Sequence, residues 1–128
     1  MLSRISGRTS LIPIPLAEVA RAALNGEHLT VRQWAADCAR ERTVWASVPC
    51  PEKLSQDELC VAAAVVELLA ERVGQSAPAW TADVPQASRP IYFVPARMRR
   101  SRAISEQSGP TALRRRHIFA MPDYLIIA

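Results

Sequence analysis

A chain of 128 residues, 49% apolar and 22% charged, can bury a core of its own, and it holds no run approaching the ~20 apolar residues that cross a bilayer. Its formal net charge of +4 is unevenly spread: residues 89–128 carry eight arginines against only Glu106 and Asp123, whereas residues 1–88 carry eight basic and ten acidic side chains. Folding does not require such a layout, so it points to a partner, either an acidic protein surface or a phosphate backbone.

Cys38, Cys50 and Cys60 are odd in number and widely spaced, unlike a secreted disulfide framework. No close Cys or His pair suggests zinc, so neither metal nor cofactor is expected. The opening residues lack the continuous apolar stretch of a secretory signal, and a cytoplasmic location with no membrane partner is expected.

Residues 1–14 read as a loosely ordered arm. Pro15 opens the first helix, because its fixed φ and missing N–H cost nothing in a first turn. Leu16, Val19, Ala20, Ala23 and Leu24 then form one apolar stripe, and Gly26 is the natural stop. Thr30 is placed to cap a second helix from Val31 to about Thr43. Its inward face is Val31, Trp34, Ala35 and Cys38, with Arg32, Asp37, Arg40 and Glu41 outward. Trp45 and Pro49-Cys50-Pro51 follow as an ordered, non-helical connector.

Ser55-Gln56-Asp57-Glu58 spells a capping box, with Asp57 and Glu58 suited to the positive end of a helix dipole. The helix it starts, about 56–73, carries no charge from Leu59 to Val66 and so requires neighbours on nearly every side. Residues 15–74 thus form a helical body. Pro78, Pro85, Pro90 and Pro95 make 75–96 a proline-rich connector. Ile91-Tyr92-Phe93-Val94 has the composition of a brief strand, but no partner is evident, so it reads as an extended segment laying its aromatics over the core. Residues 97–128 form a basic helical segment: a helix from Ala96 to Gln107, a break at Gly109-Pro110, a short helix through Arg116, and a last turn opened by Pro122 whose apolar end docks on the body. The expected fold is a small, single, all-α domain.

Arg97, Arg99, Arg100 and Arg102, with Arg114, Arg115 and Arg116, are the first functional candidates. Guanidinium forks suit carboxylates and phosphates, and few acids lie nearby in sequence. The plainer alternative is a solvated face paired with Glu18, Glu67 or Glu71. Tyr92, Phe93 and Phe119 are candidate anchors beside these arginines.

The first two helices have helix-turn-helix lengths, with Arg32 and Gln33 where a recognition helix would meet bases. Asp37 and Glu41 on that outer face favour a plain αα-hairpin, since phosphates would repel them. His28 and His117 sit in no nucleophile or metal motif. A Cys60–His117 or Cys38–His117 pairing stays open, but no catalytic residues are assigned and an enzyme is not expected. Trp34 reads as core, and Trp80 as a loop aromatic either exposed or pinned to the body.

Two stretches carry a resemblance. One is residues 29–88, above all Arg32-Gln33-Trp34, Pro49 to Glu58, and Glu71-Arg72-Val73-Gly74-Gln75 leading to Pro78-Ala79-Trp80-Thr81. The other is Leu113-Arg114-Arg115-Arg116-His117-Ile118-Phe119-Ala120-Met121-Pro122-Asp123-Tyr124-Leu125. Together they resemble small bacterial antitoxin-like partners of nucleotidyltransferase-type toxins of the abortive-infection class. The resemblance implies a non-enzymatic inhibitor whose arginines occlude a pocket with metal-binding carboxylates built for nucleotide and RNA. The winged helix that better-known antitoxins of the class carry is absent from this sequence. The alternative is a nucleic-acid-binding transcriptional regulator that sets the same arginines against phosphates.

Overall fold

A computed structural model describes residues 14–126, so most of the expected amino-terminal arm and the last two residues lie outside it. Five α-helices and one pair of two-residue strands make up the regular structure among the described residues: α1 Leu16–Leu24, α2 His28–Arg40, α3 Gln56–Arg72, β1 Ile91–Tyr92, α4 Arg99–Ser108, α5 Thr111–Arg114 and β2 Ile118–Phe119. The domain is all-α.

Two local devices set most of these boundaries. At the start of α3, Ser55 Oγ accepts from the Glu58 N–H (3.1 Å) and Glu58 Oε1 accepts from the Ser55 N–H (2.9 Å), which closes the capping box. At the carboxyl ends of α1, α2 and α3 the chain turns through a left-handed residue, namely Gly26, Arg42 and Gly74. Each turn pairs the next N–H with a carbonyl five residues back: Glu27 to Ala22, Thr43 to Cys38, and Gln75 to Ala70. The first of these turns corrects the expected start of α2. Because it ends at Glu27, Glu27 itself becomes the cap, its carbonyl accepting from Thr30 and Val31, so Thr30 lies inside the helix.

α3 is buried at every position from Cys60 to Ala70, with α1 and α5 packed against it. Val19, Val31, Val61, Val65, Val66, Leu113 and Ile118 are the bulkiest apolar side chains shielded from solvent. Trp34 and Trp45 meet edge to face at 5.9 Å, and Trp45 begins a single 3-10 turn, Trp45–Ser47, inside the connector that was expected to contain none. A second 3-10 turn, Ala79–Asp83, follows Pro78, and the half-buried Trp80 is pinned through Nε1 to the Val48 carbonyl at 2.8 Å.

The segment at Ile91 does have a partner, which is the second correction. β1 pairs in parallel with β2, Ile91 opposite Ile118 and Tyr92 opposite Phe119. The Ile91 and Phe93 N–H groups donate to the His117 and Phe119 carbonyls, both at 2.8 Å, and the Ala87 N–H donates to Arg116. Proline rules out helix here, so the backbone N–H groups of this segment need acceptors, and residues 116–119 supply them.

The basic region is also trimmed. α4 starts at Arg99, leaving Arg97 ahead of it, and α5 ends at Arg114, leaving Arg115 to His117 in a turn with His117 at φ +64°. Gly109 separates the two helices for a steric reason: a Cβ there would lie 2.5 Å from the Ser105 carbonyl oxygen and 2.6 Å from that of Ala120. Leu125 docks in the core as expected, but Ile126 stays half exposed.

Candidate functional site

The seven candidate arginines separate into two groups. Arg116 is 6% exposed and grips Glu67, 7% exposed, with both terminal nitrogens, Nη1 on Oε1 and Nη2 on Oε2 at 3.2 Å. Nη2 also donates to the Thr81 carbonyl at 2.5 Å. Arg115 bridges Glu67 and Glu71 at 3.1 and 3.3 Å. Arg114 turns the other way, and its Nε and Nη1 donate to the Gly109 and Gln107 carbonyls at 2.9 and 3.1 Å, neutralising the carboxyl end of α4. Arg102 donates from Nε to the Val94 carbonyl at 3.0 Å and lays its guanidinium 3.8 Å over the Tyr92 ring. These four are engaged within the chain, with Arg116 buried, Arg102 and Arg114 half-buried and Arg115 exposed, which corrects the expectation that all seven guanidinium groups are free for a partner. Consecutive side chains at a helix end fan out by about 100° each, so Arg114 reaches the end of α4 while Arg115 and Arg116 converge on Glu67.

Arg97, Arg99 and Arg100 are different. All three are exposed and make no ion pair with any described residue, and Arg89, just before β1, is in the same condition. Met98 and Ile104 are exposed beside them. On α4, Arg100 and Ile104 fall on one outward face, while Ser105 is buried inward.

The three candidate aromatic anchors are each only half exposed and already engaged. Tyr92 stacks on Phe119 at 5.2 Å and donates its hydroxyl to Glu106. Phe93 packs on His28 at 4.8 Å and on Tyr124 at 5.1 Å. This second cluster borders a groove of about 410 Å³ whose walls include His28, Leu29, Arg32, Phe93, Met121 and Tyr124. His28 Nδ1 and the Tyr124 hydroxyl share a hydrogen bond of 2.9 Å. Burial holds the imidazole below its ordinary range and the phenol above its own, so both stay neutral near pH 7. No sequence spacing could reveal this pair, whose members are 96 residues apart.

Neither buried thiol hydrogen-bonds to His117. Burial pushes Cys38 and Cys60 up to about 11, and the Cys60 Sγ–H donates to the Pro85 carbonyl at 3.3 Å, not to His117. Among the described residues no cluster of three or more His, Cys, Asp or Glu is placed to hold a metal ion, and no helix is long and apolar enough to cross a membrane.

The fold and this surface define a small all-α domain with an ionic cluster inside and a short cationic patch outside. No protein-family model, curated protein or solved structure matches the chain.

Proposed function

We propose that this protein is a non-enzymatic binding protein that neutralises a nucleotidyltransferase-type toxin by direct association, with Arg97, Arg99 and Arg100 as its charged contact. The observation that carries the reading is the exposure of these three guanidinium groups, without acidic partners, beside the apolar side chains of Met98 and Ile104. Arginine and methionine are enriched at protein interfaces, and arginine can pair bidentately with carboxylates such as those of a metal-dependent transferase pocket. A phosphate lattice would draw on the same charges but gains little from the exposed apolar residues between them.

The test is association with the product of an adjacent gene, measured by co-purification and calorimetry with the full chain. The reading predicts a stoichiometric complex that survives nuclease treatment and is lost in an Arg97→Gln, Arg99→Gln, Arg100→Gln variant. Binding to arbitrary DNA that falls steeply with added salt, with no protein complex, would replace it with the regulator.

A further inference from the structure

We infer that the groove at His28 is a binding site for a small aromatic carboxylate, whose ring lies against Phe93 and Tyr124 and whose carboxylate meets Arg32. Three segments far apart in the chain converge there: the first turns of α2, the two residues after β1, and the stretch from Ala120 to Leu125 after β2. At about 410 Å³ it falls within the roughly 300–1,000 Å³ typical of small-molecule sites.

The chemistry of the walls selects the ligand. His28, Phe93 and Tyr124 present three rings with centroids 4.8 to 5.5 Å apart, a surface suited to stacked or edge-on contact with a fourth ring. The polar atoms of this wall are already satisfied in part, because Nδ1 and the hydroxyl bind each other, so covering it carries a smaller desolvation penalty. Leu29, 80% exposed, and the adaptable side chain of Met121 also line the groove.

Charge at the rim sets the sign. Arg32 is exposed and has no ion-pair or hydrogen-bond partner among the described residues. Asp123 also lines the groove, but it stands close enough to Arg72 to stabilise that guanidinium's charge. Of the two charges that line the groove, Asp123 is offset by Arg72 outside the lining whereas Arg32 is unpaired, so the groove favours an anion at Arg32.

The inference does not rest on the arginine patch of α4, so the two readings can fail separately. The full chain would be titrated with indole-3-acetate, indole and tryptamine while the His28 ring and Met121 methyl resonances are followed by NMR. Saturable shifts at both residues are expected, with indole-3-acetate at least about fivefold tighter than tryptamine, the scale of an exposed ion pair. Arg32→Gln, an exposed change that the fold tolerates, should erase that preference and leave indole unaffected. The variant lacking Arg97, Arg99 and Arg100 should bind all three probes as the parent does. Equal affinity for the acid and the amine, or shifts confined to other residues at millimolar probe, would overturn the assignment. So would His28 responding only to a protein partner, since the groove would then belong to an interface.

Discussion

Arg97, Arg99 and Arg100 stand in solvent around the start of α4 without partners, whereas Arg114, Arg115 and Arg116 at the end of α5 are all bound to acceptors of the chain itself, though only Arg116 is buried. The side chain is the same in both trios, and only the reach of acceptors differs. Glu67 and Glu71 lie one turn apart on α3, opposite the turn that carries Arg115 and Arg116, and the last carbonyls of α4 lie beside Arg114. The first trio has only Glu106 on its own helix, and the Tyr92 hydroxyl engages that carboxylate. A charge count along the chain therefore overstates the charge on offer to a partner, because part of it holds the fold together.

The sharpest way to break this contrast is at Arg116. Arg116→Met leaves Glu67 charged and buried without its bidentate partner, and losses of about 3–5 kcal/mol are usual for that change. Chemical denaturation of Arg116→Met against Arg97→Met measures it, with Arg97→Met expected within about 0.5 kcal/mol of the parent. Pairing Arg116→Met with Glu67→Leu should restore most of the loss, since removing both charges removes the uncompensated one. A loss below about 1 kcal/mol at Arg116 would mean that water reaches the pair and the two trios are alike.

The next effect in size lies at the joint between the trios. Gly109→Ala places a Cβ against two backbone oxygens that cannot rotate away, so α4 must shift relative to β2 at a cost of about 1–3 kcal/mol. A thermal scan reads the loss, and it should affect the stability of the domain more than any one exposed arginine does. An unchanged midpoint would mean that α4 floats freely on the body.

How far these features could be read beforehand follows from how local their causes are. The stripe of α1, the capping box at Ser55 and the break at Gly109-Pro110 are each written within a few residues, and each is found where it was expected. The start of α2 was misplaced because Thr30 has the right side chain for a cap, while the cap position was fixed by the turn closing α1. The β1–β2 pair was missed because two-residue strands have no readable period and the partner lies beyond α4 and α5. Arg116 and Glu67 are 49 residues apart, and a sequence gives no register between α3 and the turn after α5. The plainer alternative, a solvated face paired with Glu67 or Glu71, describes Arg115, whereas Arg116 has the expected partner but is buried.

Arg114 tests the middle of the range. It is half-buried and donates to two carbonyls instead of a carboxylate, so Arg114→Gln should cost about 1 kcal/mol, less than Arg116 and more than Arg97. Hydrogen exchange should show the loosening at the carboxyl end of α4, where Gln107 and Gly109 lose their donor.

A neutral polar pair offers a smaller and pH-dependent contrast to these ionic anchors. Burial lowers the pKa of His28 in the folded chain, so both states are uncharged well above its ordinary value of 6.5. As the pH falls through that value the unfolded chain takes up the proton first, and stability declines until the folded form is protonated as well. His28→Gln should flatten denaturation midpoints in that window. A parent curve already flat there would show the imidazole to be freely solvated.

The smallest effect on stability should accompany the largest effect on association. Replacing Arg97, Arg99 and Arg100 together by glutamine removes no ion pair to a described residue, so the unfolding free energy should stay within about 0.5 kcal/mol, or rise slightly as like-charge repulsion is relieved. Measured beside it, the same exchange at Arg114, Arg115 and Arg116 should unfold the domain outright and reveal nothing about binding. If the outer exchange instead destabilises the fold as the inner one does, those arginines have found internal partners, and the patch offers no charge to another molecule.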